Sequence, residues 1–182
     1  PKDGSFLNFE HQKIQSRTLP DNNVNDLYED PSHFLWVATE NGLARMNPER
    51  NEFKIFTTSE GLSNNDIFFI TPDKERKLWL GTNNGLSVLN PFDGSIINYT
   101  QMDGLPTNRI DGAAICCKDG SLYFGTNSMI SGCNPLKIVK NEISPKVFIT
   151  SVKVHGQEIP LFRKKEYLEK ITLQYPDNNF NS

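Results

Sequence analysis

The three histidines are the first residues to consider for catalysis or metal binding. His11, His33 and His155 lie far apart, and none belongs to an HExxH motif or a comparable ligand spacing. Isolated histidines of this kind are typical of surface or hydrogen-bonded positions. The sequence therefore predicts no metal site and indicates no cofactor.

The three cysteines form no recognisable chemical motif either. Cys116 and Cys117 are adjacent and Cys133 stands alone. This is not a disulfide framework for a chain of 182 residues, and it lacks the CxxC spacing of a metal site. We expect all three to be small apolar residues that pack in the interior.

Several carboxylates directly precede a glycine, as in Asp93-Gly94, Asp103-Gly104 and Asp119-Gly120. A turn explains an Asp-Gly pair without any acid or base chemistry. The sequence therefore assigns no catalytic residue and predicts that this chain is not an enzyme.

The charge balance argues against a nucleic-acid partner. Nineteen Lys and Arg against 22 Asp and Glu give a net charge of -3, and the only basic cluster is Arg163-Lys164-Lys165. The electrostatic attraction that drives nucleic-acid binding is therefore missing. No apolar run approaches the roughly 18 residues that span a bilayer, so we expect any signal or membrane anchor outside this sequence.

The chain repeats itself with a period of 43 to 44 residues. The phrase WVATENGLARMNP, from Trp36 to Pro48, returns 43 residues later as WLGTNNGLSVLNP, from Trp79 to Pro91. Other positions recur in phase, namely Leu19, Leu62 and Leu105, Asn22, Asn65 and Asn108, and Thr39, Thr82 and Thr126. Three copies occupy residues 19 to about 140. A period of this length excludes the repeat families with shorter periods and is compatible with propeller blades or paired-helix repeats.

Local composition decides in favour of strands. Glycine and proline interrupt each copy every eight to ten residues, and the pieces between them are rich in β-branched and aromatic residues. The first copy predicts four strands, at Val24–Asp30, Leu35–Thr39, Leu43–Asn47 and Glu52–Thr57. Asn41-Gly42 and Asn84-Gly85 predict a tight turn with positive φ angles between the second and third strands.

Four strands in 43 residues is the blade of a β-propeller. Trp36, Trp79 and Tyr123 stand where a flat aromatic side chain fills the gap between neighbouring sheets. We expect an all-β fold, a partial β-propeller of about three four-stranded blades followed by the start of a β-sandwich domain. The expected segments are an outer strand of a preceding blade in 1–18, blades at 19–61, 62–104 and 105–142, and a truncated sandwich domain at 143–182.

The sequence pattern changes after Ile143, where alternating apolar residues lead to a predicted turn at His155-Gly156. A second alternation at Ile171, Leu173 and Tyr175 supports the same sandwich. The alternative is a C-terminal tail that packs on the propeller.

Comparison of the copies also selects candidate ligand-binding residues. A residue present in every copy serves the blade, whereas one that differs at the same phase is free to serve a single site. Asn22, Asn65 and Asn108 are therefore interpreted as structural. Two positions after this asparagine vary between the copies. The next residue is Asn23, Asp66 or Arg109, and the residue two further on is Asn25, Phe68 or Asp111. These loops enter the innermost strands and should rim one mouth of the central channel, where polar and aromatic side chains suit a sugar.

The repeat also resembles a known family. GLSNNDI, LWLGTNNGL and NP follow the pattern of the two-component-regulator propeller repeat. SPKVFITSVKVHGQEI followed by ITLQYPDNNF is similar to the opening of the triple-tyrosine-motif domain that follows such propellers. The third copy departs from the pattern because Tyr123 replaces Trp and Met129 replaces the turn glycine, which puts its second hairpin in doubt.

The resemblance implies the periplasmic sensor region of a hybrid two-component system, anchored in the inner membrane. In that family a histidine kinase and a DNA-binding response regulator share one polypeptide, and the sensor commonly detects an oligosaccharide to control polysaccharide-utilisation genes. This chain contains no kinase, receiver or DNA-binding motif, so kinase activity is expected elsewhere in the protein. Because open apolar blade faces rarely stay exposed, self-association or a homodimer is also expected.

Two other functions stay open. The propeller could be a scaffold that binds proteins, which the sequence alone does not exclude. The other is a propeller glycosidase or lyase. Sialidase-type propellers repeat an Asp box, S-x-D-x-G-x-T-W, whereas CKDGSLYFG has Cys117 where the serine should be and Ser121 where the glycine should be.

Overall fold

The structure is a computed structural model that describes Phe6, residues 8–12, residues 18–138 and the strands Val152–Val154 and Gln157–Ile159. The chain forms two compact units, Pro1–Lys140 and Asn141–Ser182. Within the described residues of the first unit there are three antiparallel sheets, and each sheet connects its strands in sequence order.

The first sheet contains β1 (Val24–Glu29), β2 (Leu35–Thr39), β3 (Gly42–Met46) and β4 (Phe53–Phe56). The second contains β5 (Ile67–Pro72), β6 (Leu78–Thr82), β7 (Gly85–Leu89) and β8 (Ile96–Tyr99). The third contains β9 (Ala114–Cys116), β10 (Leu122–Gly125) and β11 (Ile130–Cys133). Short 3-10 helices occupy Thr58–Glu60, Gln101–Asp103 and Pro135–Lys137.

The four strands predicted for the first copy are confirmed, with ends that shift by a residue. The second copy repeats them, and its central strands β6 and β7 are buried at every position. A strand is buried on both faces when other elements cover both sides of its sheet, as neighbouring sheets do here. The third copy has three strands in the part of the chain that the structure describes.

Apolar clusters fill both gaps between consecutive sheets. The first cluster joins Trp36 and Leu43 of the first sheet to Leu80 and Leu89 of the second. The other joins Trp79, Leu86 and Val88 of the second sheet to Leu122 and Phe124 of the third. Strand β1 contacts β5, and β5 contacts β9, so the first strand of each sheet is the innermost. Sheets stacked face to face around their first strands are propeller blades, which confirms the predicted fold class.

The repeated aromatic residues fill these gaps in two of the three copies. Trp36 is fully buried and Trp79 is 3% exposed, as expected. Tyr123 is 46% exposed. It lies on the outer face of the third sheet, and no described sheet packs there.

A buried indole N–H requires an acceptor, and each tryptophan has one in its own blade. Trp36 Nε1 donates to Asp30 Oδ2 at 2.9 Å, and Trp79 Nε1 donates to Asp73 Oδ2 at 2.9 Å. The other oxygen of each carboxylate accepts two backbone N–H groups of the turn that precedes the tryptophan strand. In the third copy Cys117 opens this turn and Tyr123 replaces the tryptophan, so aspartate and indole are lost together.

The hairpins between second and third strands differ from the predicted Asn-Gly turn. Among the described residues, Gly42 and Gly85 have positive φ angles of 133° and 96°, whereas the preceding asparagines do not. The hydroxyl of Thr39 donates to the carbonyl of Gly42 at 2.7 Å, and Thr82 does the same to Gly85 at 2.9 Å. The prediction of positive φ at asparagine was therefore wrong, because threonine closes the turn. Thr126 keeps this role in the third copy, and the hairpin forms without glycine.

The recurring asparagines are structural, as predicted. Asn65 Oδ1 accepts the Thr58 N–H and Asn108 Oδ1 accepts the Gln101 N–H, both at 2.8 Å. Asn22 Oδ1 accepts the His11 N–H at 2.7 Å. The 3-10 helices that these bonds secure begin with capping boxes at Thr57 and Thr100. The connections that lead into the second and third blades are thus stabilised in the same way.

The segment 1–18 was predicted to be an outer strand, and its described residues form no strand. Phe9 packs edge-on against Phe53 of the first sheet, with ring centroids 6.0 Å apart. Leu19 belongs to the apolar cluster on the same face. The blade boundaries themselves stay a prediction.

The second unit contains one described hairpin. Strands β12 (Val152–Val154) and β13 (Gln157–Ile159) pair antiparallel, with Val154 opposite Gln157. The predicted turn residues His155 and Gly156 lie between the strands but outside the described residues, as does the alternation at Ile171, Leu173 and Tyr175. None of the described helices is long and apolar enough to cross a bilayer.

Candidate functional site

Four of the six predicted residues meet at one end of the second and third blades. Asp66 and Phe68 flank the first residue of β5, and Arg109 and Asp111 flank the buried Ile110 that enters the third blade. Because β5 and β9 are neighbouring inner strands, their entry loops lie side by side. We call Asp66, Phe68, Asn83, Arg109 and Asp111 the entry-loop cluster.

The cluster is a continuous chain of hydrogen bonds. Arg109 Nε donates to Asp111 Oδ2 at 2.8 Å, and Arg109 Nη1 donates to Asn83 Oδ1 at 2.9 Å. Asn83 Nδ2 in turn donates to Asp66 Oδ2 at 2.5 Å. A guanidinium is planar and presents its five N–H donors at the edge, so two acceptors fix its plane.

Phe68 provides the apolar wall of the cluster. The guanidinium carbon of Arg109 lies 5.1 Å from the centroid of the Phe68 ring, a cation–π contact. The Arg109 side chain remains 56% exposed. The arginine is therefore oriented by its neighbours and open to solvent.

Asn83 was missed by the sequence analysis, and so was Glu40 in the first copy. Both directly follow the repeated threonine, at a position that reads Glu40, Asn83 and Asn127. In the first copy Asn23 Nδ2 donates to Glu40 Oε2 at 2.8 Å, the counterpart of the bond from Asn83 to Asp66 with donor and acceptor exchanged. The comparison of copies that selected Asn23 and Asp66 would also have selected Glu40 and Asn83, had it been applied to the residue after the threonine.

The side chain of Asn25 makes a structural hydrogen bond. Its Nδ2 donates to the carbonyl of Ile67 at 2.8 Å, which ties β1 to β5. The neighbouring Asp26 strengthens this tie, because its Oδ2 accepts the Ile70 N–H at 2.8 Å. Both bonds cross from the first blade to the second. Asn25 therefore belongs to the packing of the blades.

The two carboxylates of the cluster have opposite electrostatic environments. Burial raises the pKa of Asp66, and the nearby Glu40 raises it further, although Arg109 lowers it. The hydrogen bond from Arg109 lowers the pKa of Asp111. Asp66 Oδ1 is buried and has no hydrogen-bond partner among the described residues. The cluster therefore holds one carboxylate that is satisfied and one that is not.

The described residues contain no group of three or more His, Cys, Asp or Glu side chains placed to hold a metal ion. His11 Nδ1 lies 2.7 Å from the carbonyl of Leu19, and His33 Nδ1 lies 3.3 Å from Glu29 Oε1. The three cysteines are free and half-buried. Burial raises the pKa of the Cys116 and Cys133 thiols, so neither is an activated nucleophile.

Two segments of the chain, residues 18–41 and 61–84, match the family model described as two component regulator propeller. The two segments fall in the first and second copies. Each begins one residue before the repeated leucine, Leu19 or Leu62, and ends in the turn between the second and third strands of the blade. No curated protein sequence matches the chain.

Two solved structures from B. thetaiotaomicron have the same fold. The extracellular domain assigned to the hybrid two component system BT3049 aligns with a TM-score of 0.58 at 25% identity over 68% of this chain. The extracellular domain assigned to the one component system BT4673 aligns with a TM-score of 0.54 at 24% identity over 64% of this chain. In each case the alignment covers 17% of that chain, so this chain spans a small part of those proteins.

A virginiamycin B lyase from Staphylococcus aureus also aligns, at 18% identity over 64% of this chain and 43% of that one. Its TM-score of 0.48 is too low to support a comparison of function. Residues 18–41 and 61–84 are thus similar to two-component regulator propeller repeats, and the propeller is similar to the extracellular domain of a hybrid two-component system.

Proposed function

We propose that this chain is part of the periplasmic sensor region of a hybrid two-component system. In this proposal it binds an oligosaccharide without transforming it. Binding is signalled across the inner membrane to control polysaccharide-utilisation genes. The entry-loop cluster carries this proposal. It combines fixed donors, an exposed guanidinium and an aromatic ring, at positions that the blade repeat does not require. Kinase activity is assigned to another part of the same protein.

The chemistry of the cluster suits a sugar. A sugar hydroxyl both donates and accepts, so it can pair with Arg109 as donor and Asp111 as acceptor, and the apolar face of a sugar ring packs on an aromatic side chain such as Phe68. Asp66 supplies an acceptor whose second oxygen lacks a partner, so a ligand hydroxyl that reached it would remove a cost of burial. Both carboxylates are already hydrogen-bonded, Asp66 to Asn83 and Asp111 to Arg109, which favours binding over catalysis.

Thermal unfolding of the intact sensor against a panel of oligosaccharides tests the proposal. A ligand at 100 times its Kd stabilises the folded state by about 2.7 kcal/mol, and the melting temperature should rise accordingly. Arg109→Ala and Asp111→Ala should lose that rise while the unliganded melting temperature changes little, because an ion pair whose arginine is 56% exposed contributes little to stability.

Asp119→Ala is the matched control, since Asp119 is an exposed aspartate in the β9–β10 turn, at the other end of the blade. It should respond to the ligand like the wild type. Induction of a reporter in cells should be weakened by Arg109→Ala and kept by Asp119→Ala. Full induction in Arg109→Ala and Asp111→Ala would remove the cluster from the binding site.

A protein-binding scaffold is the second candidate function. The outer face of the third sheet favours it, because Ile115 and Ile130 are 60% and 79% exposed there. A melting temperature that responds to a protein partner and to no oligosaccharide would replace the sensor proposal with this one.

A further inference from the structure

A second polar cleft lies between the first two blades, at the end opposite the entry-loop cluster. It has a volume of about 230 Å3 and is lined by residues that include Tyr28, Phe34, Arg45, Arg76 and Phe92. These residues come from the ends of β1 and β3 and from the β1–β2, β5–β6 and β7–β8 connections. In an antiparallel blade those connections and the β2–β3 hairpins lie at opposite ends.

Arg45 is held in this cleft by two aromatic side chains. Its guanidinium carbon lies 4.6 Å from the centroid of the Phe34 ring and 5.6 Å from that of Trp36. These cation–π contacts restrain the guanidinium group beside the rings, and its N–H donors can still bind a planar anion. Among the described residues, Arg45 takes part in no ion pair with a carboxylate.

Arg76 brings a second positive charge to the same cleft. Its charge acts on the phenol of Tyr28, whose pKa is raised by burial and by Asp30 and lowered by Arg76. Arg76 also forms no ion pair within the described part of the chain. Two guanidinium groups therefore line one small space, and neither has an anionic partner there.

Asp30 also lines the cleft, and its carboxylate is already engaged. One oxygen accepts the Ser32 and Phe34 N–H groups at 2.8 and 3.1 Å, and the other accepts the Trp36 indole. Both oxygens of the Asp30 carboxylate are therefore already hydrogen-bonded, one to the turn and one to the tryptophan. The two arginines thus outnumber the one carboxylate of the cleft.

The blade does not require an arginine at position 45. Arg45 stands opposite Trp36 on the neighbouring strand, and the same position holds Val88 opposite Trp79 and Gly132 opposite Tyr123. The comparison that separated structural from variable residues in the entry loops therefore places Arg45 among the variable ones. An arginine that is oriented, half-buried and dispensable to the blade indicates a role in binding.

We propose that this cleft binds the oxyanion of a small ring-bearing ligand, a carboxylate or a sulfate, between Arg45 and Arg76. Arg45 contributes a fixed edge of N–H donors, and Arg76 closes the cleft from the second blade. Phe92, which is 73% exposed, and Pro91 offer apolar surface to the ring. The volume is below the range usual for drug-sized ligands, so a single ring fits and a long chain does not. The site goes beyond the proposed function, because it lies away from the entry-loop cluster.

Isothermal titration of the full chain tests the site with four probes: glucuronate, glucose 6-sulfate, glucose and inorganic sulfate. At least one of the two charged sugars should bind with saturation, and binding should weaken as NaCl rises. The sugar that binds more tightly identifies the anion as carboxylate or sulfate. Inorganic sulfate should bind more weakly than the better sugar, since it lacks the ring, and glucose should not bind.

Arg76→Gln should weaken binding of the charged sugar by at least about tenfold. Arg76 is exposed, so this variant should fold like the wild type. Arg45→Lys keeps the charge and removes the planar fork, and it should also weaken binding. Lys118→Gln is the matched control, because it removes an exposed positive charge in the β9–β10 turn of the third blade, outside both sites, and it should bind the anion unchanged.

Equal binding of glucose and the charged sugars would overturn the proposal. So would unchanged affinity in Arg76→Gln, binding of inorganic sulfate alone, or an equal loss in Lys118→Gln. Because Arg76→Gln leaves the entry-loop cluster intact, failure of the anion site and failure of the proposed function give different results.

Discussion

Asp73 shows how much of a blade can depend on one side chain. Its carboxylate accepts the N–H groups of Glu75 and Lys77 and the indole N–H of Trp79. The indole is in the gap between blades and Trp79 is only 3% exposed, so water has little access to its N–H group. The aspartate therefore couples the turn to the core.

Asp73→Ala should lower the free energy of unfolding by about 1–3 kcal/mol, because it leaves a buried N–H without an acceptor. Equilibrium urea unfolding of the full chain measures the change. Asp119→Ala is the control, since Asp119 accepts only from Ser121 and no indole depends on it. Equal losses in the two variants would show that the turn, and not the indole, carries the effect.

The two carboxylates of the entry-loop cluster should respond to pH with opposite sign. The pKa of Asp66 is raised, so the folded state disfavours its ionised form, and stability falls as pH rises from the ordinary aspartate pKa, about 3.9, through the raised value. Asp66→Asn removes this penalty. The variant should therefore melt higher than the wild type near pH 7, and the difference should shrink toward pH 3.5.

Asp111→Asn is the counterpart. The pKa of Asp111 is lowered by the Arg109 hydrogen bond, so its contribution to stability is present above the ordinary pKa and is lost as pH falls through the lowered one. The variant should melt slightly below the wild type near pH 7, and the effect should be small because Arg109 is exposed. Thermal melts across the pH range, read for both variants, would contradict this account if the two shifts had the same sign.

At the scale of elements, the β6–β7 hairpin places Asn83 in the cluster, and its geometry depends on Gly85. That residue has a φ of 96°, and a Cβ there would meet the backbone carbonyl of Tyr99. Its N–H donates to the carbonyl of Asn108, which joins the hairpin to the loop that carries Arg109. The glycine therefore serves the turn, the neighbouring strand and the site at once.

Gly85→Ala should cost about 2–4 kcal/mol, the sum of a strained φ and a collision with backbone. Gly94→Ala separates the two contributions, because Gly94 has a φ of 78° and nothing within 4 Å of its added Cβ. It should cost about 1 kcal/mol. Chemical denaturation of both variants gives the comparison, and a Gly94→Ala loss as large as that of Gly85→Ala would show that φ alone is responsible.

At the scale of the whole molecule, the third sheet has an apolar outer face. Ile115, Tyr123 and Ile130 are exposed on this face, and Gly132 lies beside the Tyr123 ring. The equivalent face of the second sheet is covered by the third. A face of this kind seldom stays open to water.

The full chain should therefore self-associate, and the Ile115→Lys/Ile130→Lys double variant should remain monomeric at the same concentration. Sedimentation velocity measures the change in mass. Met102→Lys, which alters a 98% exposed residue of a 3-10 helix, is the control and should associate like the wild type. A monomeric wild-type chain would refute the expectation.

The in-phase repetition of Trp36 and Trp79 was enough to predict the strands, their order and the stacking of the blades. Such a pattern is local: alternating burial and turn residues leave their period in the sequence whatever surrounds them. The same comparison placed Asp66 and Arg109 at a common position and thus indicated that their loops would be neighbours. It predicted positive φ angles for both residues of each Asn-Gly turn, whereas only the glycines have them.

The sequence by itself determined that this chain is built from repeated four-stranded units and which positions the repeat leaves free. Only the tertiary structure decided that Asn83 bridges Asp66 and Arg109, that Asn25 is used between blades, and that Arg45 and Arg76 line one cleft. The physical reason is that these contacts join residues of different copies or strands. Their geometry follows from how the blades pack against each other, which a repeat of 43 residues does not record.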